Sequence, residues 1–364
     1  AALAGANPAT RVAASELSAA PIPAKKWGPY FHTTTRQSSQ RHLESLSVVA
    51  PLWQNPDAMA FGDLRLKFGH EGEMETNAGL GYRQVVRGAG DEPGWIWGLY
   101  GFWDRKRSEN NVYYNQATLG AEALGECWEV RANAYFPEGD RHSVGLSGKA
   151  FLVGTGVWER MNEECALPGF DVEAGRCVPL SDRSRLWAHA GYFRFSRSHA
   201  PEIEGPRFRL RWELDDPLGL SGARFHVGVE TQEDAVRDNL TLAVAGISIP
   251  LDSRITQTAH HGGLDGIDRR MTYPIVRDVD VVTDTQARTK NALPVTDNGG
   301  EQVNVFFVDA AGGGDGTQSN PYTLAELAAD PANGPGDGIM LLDGAGEING
   351  DITLKHRQQL WGAG

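Results

Sequence analysis

The chain has 364 residues, with 34 Lys and Arg against 47 Asp and Glu, and a formal net charge of −13. That deficit of basic groups excludes the cationic footprint needed to hold phosphates, so nucleic acid is not an expected partner. Mean hydropathy is −0.38, and no apolar run approaches the ~20 residues of a membrane helix, whereas 44 glycines and 22% charged residues suit a turn-rich all-β chain.

Residues 1–26 open on small residues that lead straight into a polar segment, without the charged and apolar regions of a signal peptide. The start reads as a mature or trimmed N-terminus. From Trp27 to Pro250, segments of roughly ten residues alternate apolar and polar side chains and close on turn residues. Their spacing predicts strands at 28–37, 43–53, 58–69, 73–87, 94–105, 111–123, 127–137, 168–179, 185–197, 205–214, 222–232 and 238–250.

Arg207–Leu214 shows the pattern most cleanly. Phe208, Leu210, Trp212 and Leu214 point one way, and Arg207, Arg209, Arg211 and Glu213 the other, because strand side chains alternate faces with period 2. One such strand fits a membrane barrel with its apolar face outward or a soluble barrel with that face inward. Twelve of them, with Leu64, Leu66 and Phe68 opposing Asp63, Arg65 and Lys67, and Trp128 and Val130 opposing Glu129 and Arg131, favour the membrane form. So many inward charges would be costly to bury in a small soluble barrel, and a closed barrel of even strand number satisfies every backbone group in lipid. The predicted fold class is therefore all-β: a twelve-stranded antiparallel transmembrane β-barrel.

Trp53, Trp95, Trp97, Trp103, Trp128, Trp187 and Trp212 fall near strand ends or flanks, where they read either as interfacial girdles or as ordinary cross-strand packing. Cys127, Cys165 and Cys177 lack the paired spacing of a zinc or redox site. Cys127 and Cys177 fall at one edge of the predicted sheet, so they pair across strands in an oxidising compartment or remain free thiols; Cys165 is left over. His260 and His261 precede two glycines and read as solvated linker before metal ligands. Asp215 with Asp216 and Glu163 with Glu164 fall in predicted loops, where charge serves solvation. G-x-S-x-G, H-E-x-x-H and G-x-x-x-x-G-K-[ST] motifs do not occur. No catalytic residue, metal ligand or cofactor is assigned, although His189 and His226 among the strands leave barrel catalysis open.

Past Pro250 the composition changes. Residues 251–302 read as an extended polar linker, and 303–364 as a separate Gly- and Asp-rich all-β unit with strands at Val305–Val308, Ile339–Leu342 and Ile352–Leu354. Thr323 followed by Glu326 predicts a capped helical turn at Leu324–Ala329. Gly312–Gly314 with Asp315 and Gly316 reads as a tight turn, since neither Lys-Ser/Thr nor a long helix follows.

Ala60-Phe61-Gly62-Asp63, Asn77-Ala78-Gly79-Leu80-Gly81-Tyr82-Arg83, Trp97-Gly98-Leu99-Tyr100-Gly101-Phe102-Trp103-Asp104, Gly120-Ala121-Glu122, Arg131-Ala132-Asn133-Ala134-Tyr135 and Pro168-Gly169-Phe170-Asp171-Val172-Glu173, taken as an ordered series over 27–283, resemble the inverse autotransporter family, the intimin and invasin group of adhesins. The resemblance implies an outer-membrane barrel at 27–250 after a periplasmic segment at 1–26, with a linker at 251–302 that turns back through the pore and carries a passenger to the cell surface. On that reading Arg269, Tyr273, Arg277 and Asp278 thread a lumen lined by Arg65, Arg83, Glu173, Arg209, Arg211 and Glu230. The connection at 138–166 is longer than the family pattern leads one to expect, which suggests an added surface hairpin around Lys149–Val157. A peptidoglycan-binding module ahead of residue 27 would be usual in the family and is not seen in 1–26.

The tail resembles the opening of a right-handed parallel β-helix of the pectin-lyase-like type, through Phe307-Val308-Asp309, Gly314-Asp315-Gly316-Thr317, Asn320-Pro321 and Leu360-Trp361-Gly362-Ala363-Gly364. A β-helix needs several stacked coils, so Gly364 is expected to truncate a longer passenger. The expected protein is a monomeric, non-enzymatic translocator and adhesin. Its partners would be outer-membrane lipid, the barrel-assembly machinery and an unknown surface ligand of the passenger. The rivals are an outer-membrane porin with a periplasmic C-terminal domain and a secreted β-helix carbohydrate-active enzyme.

Overall fold

A computed structural model describes residues 26–39, 41–69, 72–88, 94–234, 236, 238–251, 266–278, 280–344 and 346–362. His260 and His261 lie outside them. Seven strands come first: β1 (Tyr30–Gln37), β2 (His42–Gln54), β3 (Ala58–Gly69), β4 (Met74–Val86), β5 (Trp95–Arg107), β6 (Tyr113–Leu124) and β7 (Trp128–Pro137). A hairpin of β8 (Arg141–Val153) and β9 (Gly156–Ala166) follows, then β10 (Gly169–Ser181), β11 (Ser184–Phe195), β12 (Ile203–Asp215), β13 (Arg224–Asp234) and β14 (Asp238–Pro250).

Strands β1 to β7 and β10 to β14 form a closed antiparallel barrel of twelve, as the sequence pattern predicts; β8 and β9 stand outside the wall. Closure runs from Tyr30↔Pro250 to Gln37↔Ala243. Both barrel termini therefore lie at one end, called here the terminal end, together with the turns after β2, β4, β6, β10 and β12. The β8–β9 hairpin rises from the opposite, far end.

Burial along the strands is inverted relative to a soluble barrel. Leu64, Leu80 and Leu119 are 64%, 67% and 59% exposed, while Asp63, Asn77, Arg83, Asp104 and Thr118 are fully buried. An apolar outer band of this kind is stable only against lipid. The described residues contain no helix long and apolar enough to cross a membrane. Inward glycines make room for inward rings: a Cβ on Gly81 would lie 2.3 Å from Phe61 Cζ, and one on Gly120 would lie 2.1 Å from Tyr100 Cε2. Tyr100 is the Cα partner of Gly120 across the β5–β6 ladder.

Two elements of the linker differ from the expected structureless run. A five-residue helix, α1 (Gly266–Arg270), lies at the terminal end. Strand β15 (Thr283–Pro294) pairs antiparallel with β9, giving a three-stranded sheet in the order β15-β9-β8. Among the described linker residues, 266–278 and 280–282 precede this strand. β15 escapes a reading by pattern because it is mostly polar, has no alternating apolar stripe and pairs through its backbone.

In the tail, β16 (Val305–Val308), α2 (Leu324–Ala329), β17 (Gly338–Leu341) and β18 (Gln359–Gly362) follow, with β16-β17-β18 forming a parallel sheet. The helix carries the expected capping box between Thr323 and Glu326. The third strand lies at Gln359–Gly362 and not at Ile352–Leu354. Ile352 packs instead on the small core of Phe306, Val308, Leu327 and Ile339, since a three-residue apolar run marks burial without specifying a ladder. Asp330 accepts a 2.7 Å hydrogen bond from the Tyr322 phenol and pushes its pKa up to about 12.

Candidate functional site in the barrel lumen

The lumen is filled by residues 266–278 and 280–282, which run from the terminal end to the far end. At the terminal end, Trp27 Nε1 donates to Asp268 O at 2.9 Å and Lys26 Nζ lies 2.7 Å from the Asp268 carboxylate. Arg269 sits at this mouth and reaches Asp215 at 3.0 Å, with its side chain 36% exposed. Arg270 enters the barrel and donates to Glu129 and to the carbonyls of Gly125 and Trp128.

Deeper in, Arg83 Nη1 donates to the carbonyls of Met271 and Tyr273, both at 2.7 Å, while its Nε holds Glu122 at 2.6 Å. Arg224 donates to Thr272 O at 3.0 Å, and the Tyr273 hydroxyl donates to Glu213. Arg277 forms a two-pronged pair with Asp104, each prong 2.7 Å long. Asp278 accepts from Arg207 Nη2 at 2.9 Å, and its amide donates to Tyr135 Oη at 2.6 Å. Near the far end, Asp280 accepts from Arg41 at 2.5 Å and Lys106 at 2.7 Å; the Val281 amide donates to Glu75 at 2.9 Å.

Apolar collars surround both ends of this polar path. Ile267, Met271 and Ile275 join Trp27, Phe61, Tyr100 and Phe102 near the terminal side. Val282 joins Tyr135, Phe193, Phe195 and Ile203, and Val281 joins Tyr114 and Ala166, at the far side. Extended backbone has few internal hydrogen bonds, so wall groups must supply partners for its amides and carbonyls; Arg83, Arg224, Glu75 and Tyr135 do so.

Of the expected lining residues, Arg83 touches the linker directly. Arg65 donates to Asp63 at 2.9 Å, Arg209 to Glu173 at 2.7 Å, and Arg211 lies 3.4 Å from Glu213. Glu230 faces Arg36 and Arg207 at 3.9 and 3.7 Å. These are pairs within the wall. Arg65, Arg209, Arg211 and Glu230 border a cavity of about 110 Å³ beside Pro274, Ile275 and Val276. Asp104, Glu129, Arg207, Glu213 and Arg224, which grip the linker, were not singled out as its partners from sequence, although Arg207 and Glu213 share the inward face of the Arg207–Leu214 pattern.

Glu129, Glu173 and His189 offer ligand atoms within 4.8 Å of one another. Glu129 already faces Arg131, Arg270 and His189, and Glu173 faces Arg209. Guanidinium groups take the positions a cation would need, so the cluster reads as an ion-pair network. Cys127 and Cys177 are joined in a disulfide one step beyond the last β7–β10 pair, and Cys165 is a buried free thiol. Trp187, expected among the girdle candidates, points inward and is fully buried, with Arg211 and Arg270 over its ring at 5.7 and 4.8 Å. Trp53 and Trp103 face outward, each 53% exposed.

A closed barrel with a lipid-compatible exterior and a peptide along its axis narrows the relatives to be expected. Residues 30–196 match the model of the inverse autotransporter beta-domain. The inverse autotransporter match spans β1 to β11, hence nine of the twelve barrel strands. A membrane protein solved in a study of in-meso crystallization superposes with a TM-score of 0.53 at 12% identity, covering 71% of this chain and 99% of its own, a likeness of fold alone. The beta domain of the Bordetella autotransporter BrkA (TM-score 0.34, 14% identity, 62% of this chain and 99% of its own) and the NanC porin (TM-score 0.34, 11% identity, 62% and 100%) resemble it too weakly to bear on function. No curated protein matches the chain.

Proposed function

We propose that this chain is an outer-membrane translocator that anchors and exports its own C-terminal segment to the cell surface, where that segment serves as an adhesin passenger. The observation that carries the reading is the path of 266–282. The chain leaves β14 at the terminal end, passes through the lumen, and continues as β15 at the end opposite both barrel termini. In an outer-membrane barrel the termini face the periplasm, so the tail emerges outside. Roughly ten extended residues at ~3.3 Å each span about 33 Å, which matches the ~30 Å hydrocarbon layer.

The mechanism is passive accommodation. The wall offers paired acids and bases to an extended polar segment and so offsets the cost of removing its backbone and charges from water. Residues 303–364 would begin a right-handed β-helix. Lipid and the barrel-assembly machinery are the partners this route requires, the barrel works as a monomer, and the surface ligand belongs to the passenger.

An epitope tag after Gly364, labelled in intact bacteria and again after outer-membrane permeabilisation, tests the reading. Labelling of intact cells is expected. Labelling only after permeabilisation would place the tail in the periplasm and favour the porin alternative.

A further inference from the structure

At the far end of the lumen the linker meets β9, a strand outside the barrel wall that is paired on its other side with β8. The base of the β8–β9 hairpin is fixed to the rim: Glu164 accepts from Ser108 Oγ at 3.0 Å and from Asn110 Nδ2 at 2.9 Å, Arg141 donates to Ser198 O, and the rings of His142 and Tyr114 lie 5.5 Å apart. Pairing begins without a gap. The Leu167 amide donates to Val282 O at 2.9 Å, and the next residue, Thr283, is already the partner of Ala166.

From there β15 follows β9 outward, through Arg288↔Met161 to Pro294↔Trp158 across one irregularity. Asn291 Nδ2 adds a 2.7 Å bond to Glu163. The eleven residues of β9 extend about 36 Å at ~3.3 Å per residue. At the hairpin tip the contact passes to the next segment: the Val157 amide donates to Val303 O and the Val305 amide to Thr155 O, at 2.9 and 2.8 Å. Val305 is the first residue of β16, an outer strand of the parallel sheet in the tail.

We propose that the outer edge of β9 is a docking template that captures the emerging linker by strand addition and delivers the chain to the hairpin tip, where Thr155–Val157 cap the first strand of the passenger and start its folding. This rests on the export reading. Before the tail emerges, β9 presents an unpaired row of N–H and C=O groups, a surface suited to an incoming strand. The occupant is tethered one residue away, so its local concentration is far above that of any competing chain. Recognition runs through the backbone, consistent with a polar β15 that buries little of its side chains. The same contacts cover the first residue of an outer strand edge, Val305, ahead of Phe307, which pairs with Gly316 and Tyr322 of the tail itself.

The test uses the full chain with a tag after Gly364 in the outer membrane, reading two quantities: tag labelling in intact cells, and the rate at which the surface segment becomes resistant to trypsin. Gln286→Pro with Ala287→Pro removes one amide donor from each side of β15, so one loss falls on the β9 ladder whichever side faces it. The expected result is a labelled tag with protection slowed at least tenfold. Protection at the wild-type rate would overturn the proposal. An independent variant, Met161→Cys with Arg288→Cys, places two thiols at partner positions; a cross-link in the surface-labelled chain is expected, and its absence would also overturn it. An unlabelled tag in the wild type defeats the export reading itself, a separate outcome.

Discussion

Arg277 on the linker and Asp104 on β5 meet in a two-pronged ion pair deep in the lumen, with Nη1 and Nη2 each 2.7 Å from one carboxylate oxygen. The Arg277 side chain is 2% exposed and that of Asp104 fully buried. Removing one partner of a buried pair leaves a charge without compensation and costs about 3–5 kcal/mol. Arg277→Ala should therefore lower the denaturant midpoint of the folded barrel in lipid vesicles, and Arg277→Met combined with Asp104→Asn, which removes both charges and keeps a carbonyl to accept from Asn77 or Thr118, should recover part of the loss. A double variant as unstable as the sum of the singles would mean the two residues do not interact.

The linker closes the pore along with its apolar collars. Deleting 266–282 should raise single-channel conductance in planar bilayers severalfold, because the axis of the barrel loses its occupant while the twelve-strand wall keeps its own ladder. Arg83→Ala, which frees the carbonyls of Met271 and Tyr273, should give brief openings in place of a steady increase. Conductance unchanged by the deletion would mean that the lumen is closed by something else.

The outward face can be tested by charge. Leu80 is 67% exposed near the middle of β4, and an arginine on the lipid face costs about 2–4 kcal/mol near the bilayer midplane. Leu80→Arg should reduce the heat-modifiable, folded fraction on gel electrophoresis after insertion into vesicles. The same substitution on a water-facing surface would be nearly neutral, so a wild-type folded fraction argues against lipid contact at this position.

The Cys127–Cys177 bridge closes 50 residues of sequence, including the β8–β9 hairpin. Chain-entropy reasoning gives such a link roughly 2–4 kcal/mol. Cys177→Ser, or a reducing agent acting on the wild type, should lower the unfolding midpoint by a matching amount, with conductance unaltered. Equal midpoints for the oxidised and reduced protein would show that the β7–β10 ladder alone carries this seam.

The barrel was legible because its wall obeys a local rule: Leu64 and Leu66 face lipid, Asp63 and Arg65 the lumen, and each strand repeats the alternation. Face is a property of one strand, so Arg207 and Glu213 could be assigned to the lumen from sequence. Partner is a property of the closed cylinder. That Arg277 should meet Asp104, 173 residues earlier, depends on how far the linker has advanced along the axis, which no local spacing encodes. β15 was hidden for a different reason. Thr283–Pro294 has no apolar stripe because its pairing with β9 buries backbone more than side chains, and α1 is too short to show a helical period.

The orientation of β15 against β9 has a mechanical consequence. β9 is held at its Ala166 end by the rim, and a pull on the tail acts at the Pro294 end of β15, directed away from the membrane. The two strands are thus loaded in shear, along their axes and in opposite senses. Hydrogen bonds in that geometry share the force and fail together, whereas a strand pulled sideways would unzip bond by bond. Traction on the tail is carried by the whole ladder before it reaches the ion pairs inside the lumen.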